Sequence, residues 1–135
     1  MIWLLDTNML IFAARDRPRA ARRRLQEVSP DDVAVSSISI AELWFGAEKS
    51  DDPDHKRAAW KRFLEPFPIL AFDRPAAEKH ARLRFLLRHE QIGERDLLVA
   101  AIAFAHGLTV VTHNLSEFSR VPGLKVEDWS STTTA

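Results

Sequence analysis

Residues 96–114 read DLLVAAIAFAHGLTVVTHN. Leu97 to Ala105 is apolar without interruption, and alanine holds four of its nine positions. That composition predicts a buried helix rather than a strand. His106-Gly107 closes it, with Gly107 where a left-handed residue commonly ends a helix. Leu108 to Val111 is then a short apolar strand, and Thr112, His113 and Asn114 restore polarity. A buried helix leading straight into a continuous apolar strand is the working unit of a parallel α/β sheet covered on both faces.

The pattern recurs upstream. Ile2 to Leu5 is an apolar run ending at the polar break Asp6-Thr7-Asn8, Val33 to Ser36 is a second run, and Ile69 to Phe72 a third. Runs this short, bounded by polar turns, predict buried strands. Leu124 to Val126 offers a fifth strand. Helices are expected between them: Met9 to Ala14, Arg19 to Val28 after Pro18, and Ile40 to Lys49 capped by Ser39. After the stop signals Ser50 to Asp54 comes a helix carrying Ala58, Ala59, Trp60, Phe63 and Leu64, closed near Pro66. Asp73 and Pro75 then open a helix over Ala76 to Gln91, with Ala77, Ala81, Leu83, Phe85, Leu86 and Leu87 on a broad apolar face and Gly93 as its breaker. The fold class expected is α/β, a mainly parallel central sheet of four to five short strands with helices on both faces. No repeat or linker divides the chain, so 1–129 reads as a single domain and 130–135 as a frayed C-terminal tail.

Composition narrows the function classes. A chain of 135 residues hides roughly 68% of its unfolded surface on folding, enough for a core without staples. With 46% hydrophobic and 28% charged residues it is neither collagen-like nor disordered. Cysteine is absent, which excludes a disulfide framework, a thiol nucleophile and a thiolate zinc site, and suits a reducing cytoplasm. The charges cancel at 19 basic and 19 acidic residues, so nucleic-acid binding must come from local patches. The opening MIWLLDTNMLIFAA lacks a basic leader, is interrupted by Asp6 and Asn8, and is too short to span a bilayer; no membrane association is expected.

In parallel α/β sheets ligands bind beyond the carboxyl ends of the strands. Asp6 follows the first strand, Thr112 and Asn114 follow the fourth, Asp96 begins the buried helix, and Glu42 lies early in the helix after the second strand. Each acid has a local alternative. Asp6 and Asp96 could cap helices, and Ser39-Ile40-Ala41-Glu42 matches a capping box. Yet all three are embedded in apolar sequence, WLL-D, IA-E-LWF and D-LLVAA, which a solvated acid does not need. Ser39 and Gly46, small neighbours on the Glu42 face, leave room for something to approach. Two carboxylates ~4 Å apart repel by ~1 kcal/mol in water and ~4 kcal/mol at an effective dielectric of about 20. Clustered, these acids would separate, protonate or take up a cation. Carboxylates and water suit Mg²⁺, or Mn²⁺, and the five histidines show no paired spacing for zinc.

The segments LLDTN (4–8), SSISIAELWFGA (36–47) and GERDLLVAAIAFAHGLTVVTHNLSEFSRVPGLKVEDW (93–129) resemble PIN-domain ribonucleases, specifically the VapC-type toxins of type II toxin–antitoxin pairs. The likeness runs in order over nearly the whole chain. It implies a PIN-like fold and an Mg²⁺-dependent endoribonuclease, a cytoplasmic hydrolase with Asp6, Glu42 and Asp96 at the three acidic metal positions and Asn114 as a further catalytic residue. Thr7 and Thr112 are then expected to orient the carboxylates. Asn114 stands where some family members carry Asp, which removes a charge, and Glu117 is an open candidate to restore it.

The same resemblance implies an RNA substrate, a homodimer, and inhibition by a VapB-type antitoxin that lies in a groove and can set a basic side chain against the acids. Trp44, Phe45, Trp60 and Phe63, more aromatic surface than one core needs, are candidates to line that groove. Arg15 to Arg24 holds six arginines and one acid, Asp16. It is read either as a solvated helix face or as an RNA contact through Arg22 and Arg23; Arg82, Arg84, Arg88 and Arg95 form a second strip. Two rival readings fit the sequence less well. A phosphoacceptor module lacks its second acid after the first strand and its late lysine, and position 8 is Asn, which breaks a D-x-D signature. A catalytically inactive PIN-like module that only binds RNA or a partner would be marked by loss of a core acid, and none is lost.

Overall fold

The computed structural model describes residues 1–131. Five strands, β1 (Trp3–Leu5), β2 (Val33–Ser36), β3 (Ile69–Leu70), β4 (Thr109–Val111) and β5 (Val126–Glu127), form one sheet in the order β3-β2-β1-β4-β5. Every pairing is parallel. The strand order reverses at β1, which pairs Leu5 with Val35 on one side and with Val111 on the other. The crevice at this reversal is where a parallel sheet presents its ligand site.

Side-chain alternation sorts the core into two layers. Leu4, Ala34 and Val110 face α5 (Arg74–Leu86) and α6 (Glu94–His106), with Ala76, Leu83 and the α6 residues Val99, Ala100 and Ile102 buried among them. Leu5, Val33, Val35 and Val111 face the other way. They pack on α1 (Thr7–Arg15), α2 (Arg19–Glu27), α3 (Ser37–Glu48) and α4 (Pro53–Leu64) through Met9, Leu10, Ala21, Leu43, Trp60 and Leu64. Both faces being covered, the strands need no polar alternation. A short helix α7 (Leu115–Phe118) follows β4. Gly107 ends α6 at φ 66°, a backbone region that favours glycine. Among the described residues no helix is long and apolar enough to cross a membrane.

Several boundaries differ from the sequence reading. The third strand stops at Leu70, because its partner β2 ends at Ser36, opposite Leu70. The fifth begins at Val126, because Leu124 still belongs to the turn through Gly123. The helix expected over Ala76 to Gln91 ends at Leu86, and its apolar face is narrower: Ala76, Leu83 and Leu87 are buried while Phe85 and Leu86 are exposed. The third helix starts two residues before Ser39, and Ser36 is its cap, accepting from the Ser39 amide at 3.1 Å. The tail expected to fray from Ser130 lies, from residue 132 onward, outside the described residues.

Candidate metal centre

Strand β1 stops at Leu5 because Asp6, its amide still donating to the Val111 carbonyl, turns its side chain to cap α1. Asp6 Oδ1 accepts from the Met9 amide at 2.9 Å, so the capping role foreseen for it is real. The residue is only 7% exposed. Burial pushes its carboxyl above the ordinary range. Hydrogen bonds from the Thr112 hydroxyl and the Met9 amide pull it back, and the charges of Glu42 and Asp128 push it up again. Thr112, fully buried, thus orients Asp6 from the end of β4.

Glu42 reaches the same crevice from the second turn of α3. The capping-box reading does not hold, since Ser36 caps the helix and leaves Glu42 unused there. Thr7 Oγ1 lies 3.0 Å from Glu42 Oε1 and 2.9 Å from Ser39 Oγ, and so orients Glu42 rather than Asp6. The other Glu42 oxygen, Oε2, meets Arg95 Nη1 at 3.1 Å.

Asp96 has no capping duty either. The cap of α6 is Gly93, with no side-chain hydrogen bond. Asp96 is pushed up to about 6, first by burial, then by the charges of Glu117 and Asp6, by its hydrogen bond to Glu117, and by Glu42. Glu117 moves the opposite way. The Gly93 amide donates to it and holds it down most, with the Asn114 side chain, a hydrogen bond with Asp96 and the charge of Arg120 adding to the same effect against its partial burial. Asn114 Nδ2 donates to Glu117 Oε2 at 2.6 Å, while its own amide donates to Thr112 Oγ1 at 2.9 Å. Asn114 is therefore directed at Glu117.

The structure thus makes electrostatic neighbours of Asp6, Glu42, Asp96 and Glu117, and adds Asp128. Asp128 was missed because the fifth strand was placed too early. With β5 ending at Glu127, opposite Val111, the next residue leaves the sheet beside Thr112. A cleft of about 390 Å³ is lined by Glu42, Gly93, Glu94, Arg95 and Asp96. Among the described residues no three acidic or histidine side chains close tightly enough to cage an ion as they stand. The donor set nonetheless fits a hard divalent cation. It is all oxygen, and burial together with the charges of its fellow acids pushes the Asp96 carboxyl up to about 6, a cost that a bound cation would offset.

Beyond the crevice, Arg22 and Arg23 lie exposed on α2, whereas Arg24 sits over the Trp129 ring, 5.4 Å from its centroid. Ile40, Trp44, Leu64, Phe67 and Ile69, flanked by Lys61 and Glu65, line an apolar groove of about 410 Å³. Of the four aromatics expected to line it only Trp44 does: Trp60 and Phe63 stack edge to face at 5.8 Å as part of the core, and Phe45 is 62% exposed.

Comparison with known proteins places the fold in a family. The family model described as PIN domain matches residues 3–124. The tRNA(fMet)-specific endonuclease VapC of Salmonella typhimurium is 36% identical over 129 residues, 94% of this chain and 97% of that protein. Its namesake from Shigella flexneri is 35% identical over 130 residues, 95% of this chain and 98% of the relative. Among solved structures, DNA-bound VapBC from Salmonella typhimurium superposes with a TM-score of 0.88 at 36% identity, covering 96% of this chain and 98% of that one.

Proposed function

Because the chain belongs to the PIN-domain family, we propose that it is a VapC-like endoribonuclease, the toxin of a toxin–antitoxin pair, which cuts RNA with a divalent ion held by Asp6, Glu42 and Asp96. The observation that carries this reading is the gathering of acids from β1, α3 and α6 at the point where the strand order reverses, with Asp96 pushed up to about 6 by its crowded neighbours. Mg²⁺ is the expected ion and Mn²⁺ its substitute. Bound there, the ion would lower the pKa of an attacking water and balance charge on the phosphate. The chain's own parts do the positioning. Thr112 and the Met9 amide aim Asp6, Thr7 aims Glu42, and Gly93 with Asn114 aims Glu117 beside Asp96.

The names of the two VapC relatives make initiator transfer RNA the substrate to try first. The VapBC complex makes a VapB-type antitoxin the expected partner; the apolar groove between Trp44 and Phe67 is the seat we assign it, and a homodimer goes with the same reading. Action in the cytoplasm, where such RNA is found, goes with this reading. The test is incubation of an initiator transfer RNA transcript with the protein in Mg²⁺, in Mn²⁺ and in EDTA, beside Asp96→Asn. Cleavage that needs the ion and Asp96 supports the proposal. Undiminished cleavage by Asp96→Asn overturns the assignment of the site, and binding without cleavage under every ion favours the inactive-module alternative.

A further inference from the structure

We propose that Arg95 is a resident counter-ion of this centre: it neutralises Glu42 while no metal is bound, and on metal binding it is released to hold a phosphate of the substrate. The inference rests on the nuclease reading and adds one residue to it. Both oxygens of Glu42 are engaged, Oε1 by the Thr7 hydroxyl and Oε2 by Arg95 Nη1. The two partners differ in how easily they let go. Thr7 is the first residue of α1, held from the backbone, whereas the Arg95 side chain is 70% exposed against 27% for Glu42. Its contact is one nitrogen to one oxygen, not the two-pronged fork that makes arginine–carboxylate pairs strong. An exposed pair of this kind is weak, so a divalent ion drawn by several acids outcompetes it.

Arg95 is also the one cationic side chain lining the cleft, among the described residues. It sits in the first turn of α6, next in sequence to Asp96. The backbone therefore stays in place when the side chain swings, and the freed guanidinium remains over the cleft through which a phosphodiester must reach the acids. A planar guanidinium suits a phosphate's paired oxygens better than an ammonium does.

The experiment titrates Mn²⁺ calorimetrically into the EDTA-treated, dialysed full chain, as wild type, Arg95→Ala and Arg95→Lys, with a thermal melt of each. It then measures cleavage of the initiator transfer RNA transcript in saturating Mg²⁺. Arg95→Ala is expected to bind Mn²⁺ about two- to fivefold more tightly than wild type, to raise KM several-fold and to leave kcat close to wild type, with Arg95→Lys between the two in both respects. An unchanged Mn²⁺ affinity in Arg95→Ala, or an unchanged KM, overturns the inference. A wild-type chain that takes up no Mn²⁺ overturns the nuclease reading itself.

Discussion

The backbone amide of Gly93 donates to Glu117 Oε1, tying the loop before α6 to α7 across 24 residues of sequence. Glycine at 93 leaves room for this close approach. A Cβ there would sit 3.0 Å from Glu117 Oε1 and 3.5 Å from Asp96 Oδ2. The obstructed atom ends a flexible side chain, so Gly93→Ala should fold with a stability change within about 0.5 kcal/mol. Glu117, however, should be displaced from the amide that holds its charge beside Asp96. Gly93→Ala and Glu117→Gln are both expected to weaken Mg²⁺ binding several-fold in a thermal-shift titration. If both bind as wild type does, Glu117 is a surface acid with no part in the centre.

Asp96→Asn should separate catalysis from stability. In the ion-free chain Asp96 is opposed by Glu117, Asp6 and Glu42, so losing its charge removes repulsion. The variant is expected to melt at or above the wild-type temperature in EDTA. Mg²⁺ stabilises wild type by binding only the folded state, and that gain should be lost in the variant along with RNA cleavage. A variant that melts well below wild type in EDTA would mean that Asp96 serves the fold instead.

The same crowding sets a pH dependence. Asp96 titrates at about 6 in the folded chain against 3.8 unfolded. Between those values the folded state carries a proton that the unfolded state lacks, so stability falls as pH rises through the window and the loss is complete above about 6. Asp6, also raised, adds to this trend. Glu117, lowered from 4.5, acts in the opposite sense only below that value. Ion-free protein should therefore melt higher at pH 5 than at pH 7. Saturating Mg²⁺, which needs ionised carboxylates, should reverse the order. Asp96→Asn should flatten the EDTA profile, and a wild-type profile already flat between pH 5 and 7 would contradict the assigned burial and crowding.

How much was legible in advance depended on the range of the interaction. The two-layer sheet was readable because buried parallel strands must be apolar at every position, as Val33 to Val35 and Val110-Val111 are. Asp6, Glu42 and Asp96 could be picked out because apolar neighbours surround each of them. What escaped was decided across the fold. Ser36 rather than Ser39 caps α3, because β2 ends where α3 begins, and an equally good serine three residues later gave no local means of choosing. The pairing of Thr7 with Glu42 joins residues 35 apart, and that of Arg95 with Glu42 joins residues 53 apart; neither spacing carries a local signal. Asp128 depended on the register of a two-residue strand.

The arginine-rich helix offers a comparison within one element. Arg24 is occupied, stacked over Trp129 and 3.9 Å from Glu127 Oε1, so its reversal to glutamate should cost about 0.5–1 kcal/mol of stability. Arg22 and Arg23 are exposed two and one positions earlier, and their reversal should leave stability nearly unchanged. If they contact RNA, each phosphate contact contributes about −0.7 to the slope of log affinity against log salt on single strands. The Arg22→Glu/Arg23→Glu double variant is then expected to make that slope shallower by about 1.4, measured by fluorescence anisotropy on a labelled single-stranded RNA in EDTA, where the RNA stays whole. An unchanged slope would leave the pair a solvated face. A loss of folding equal to that of Arg24→Glu would show that they support α2 rather than the substrate.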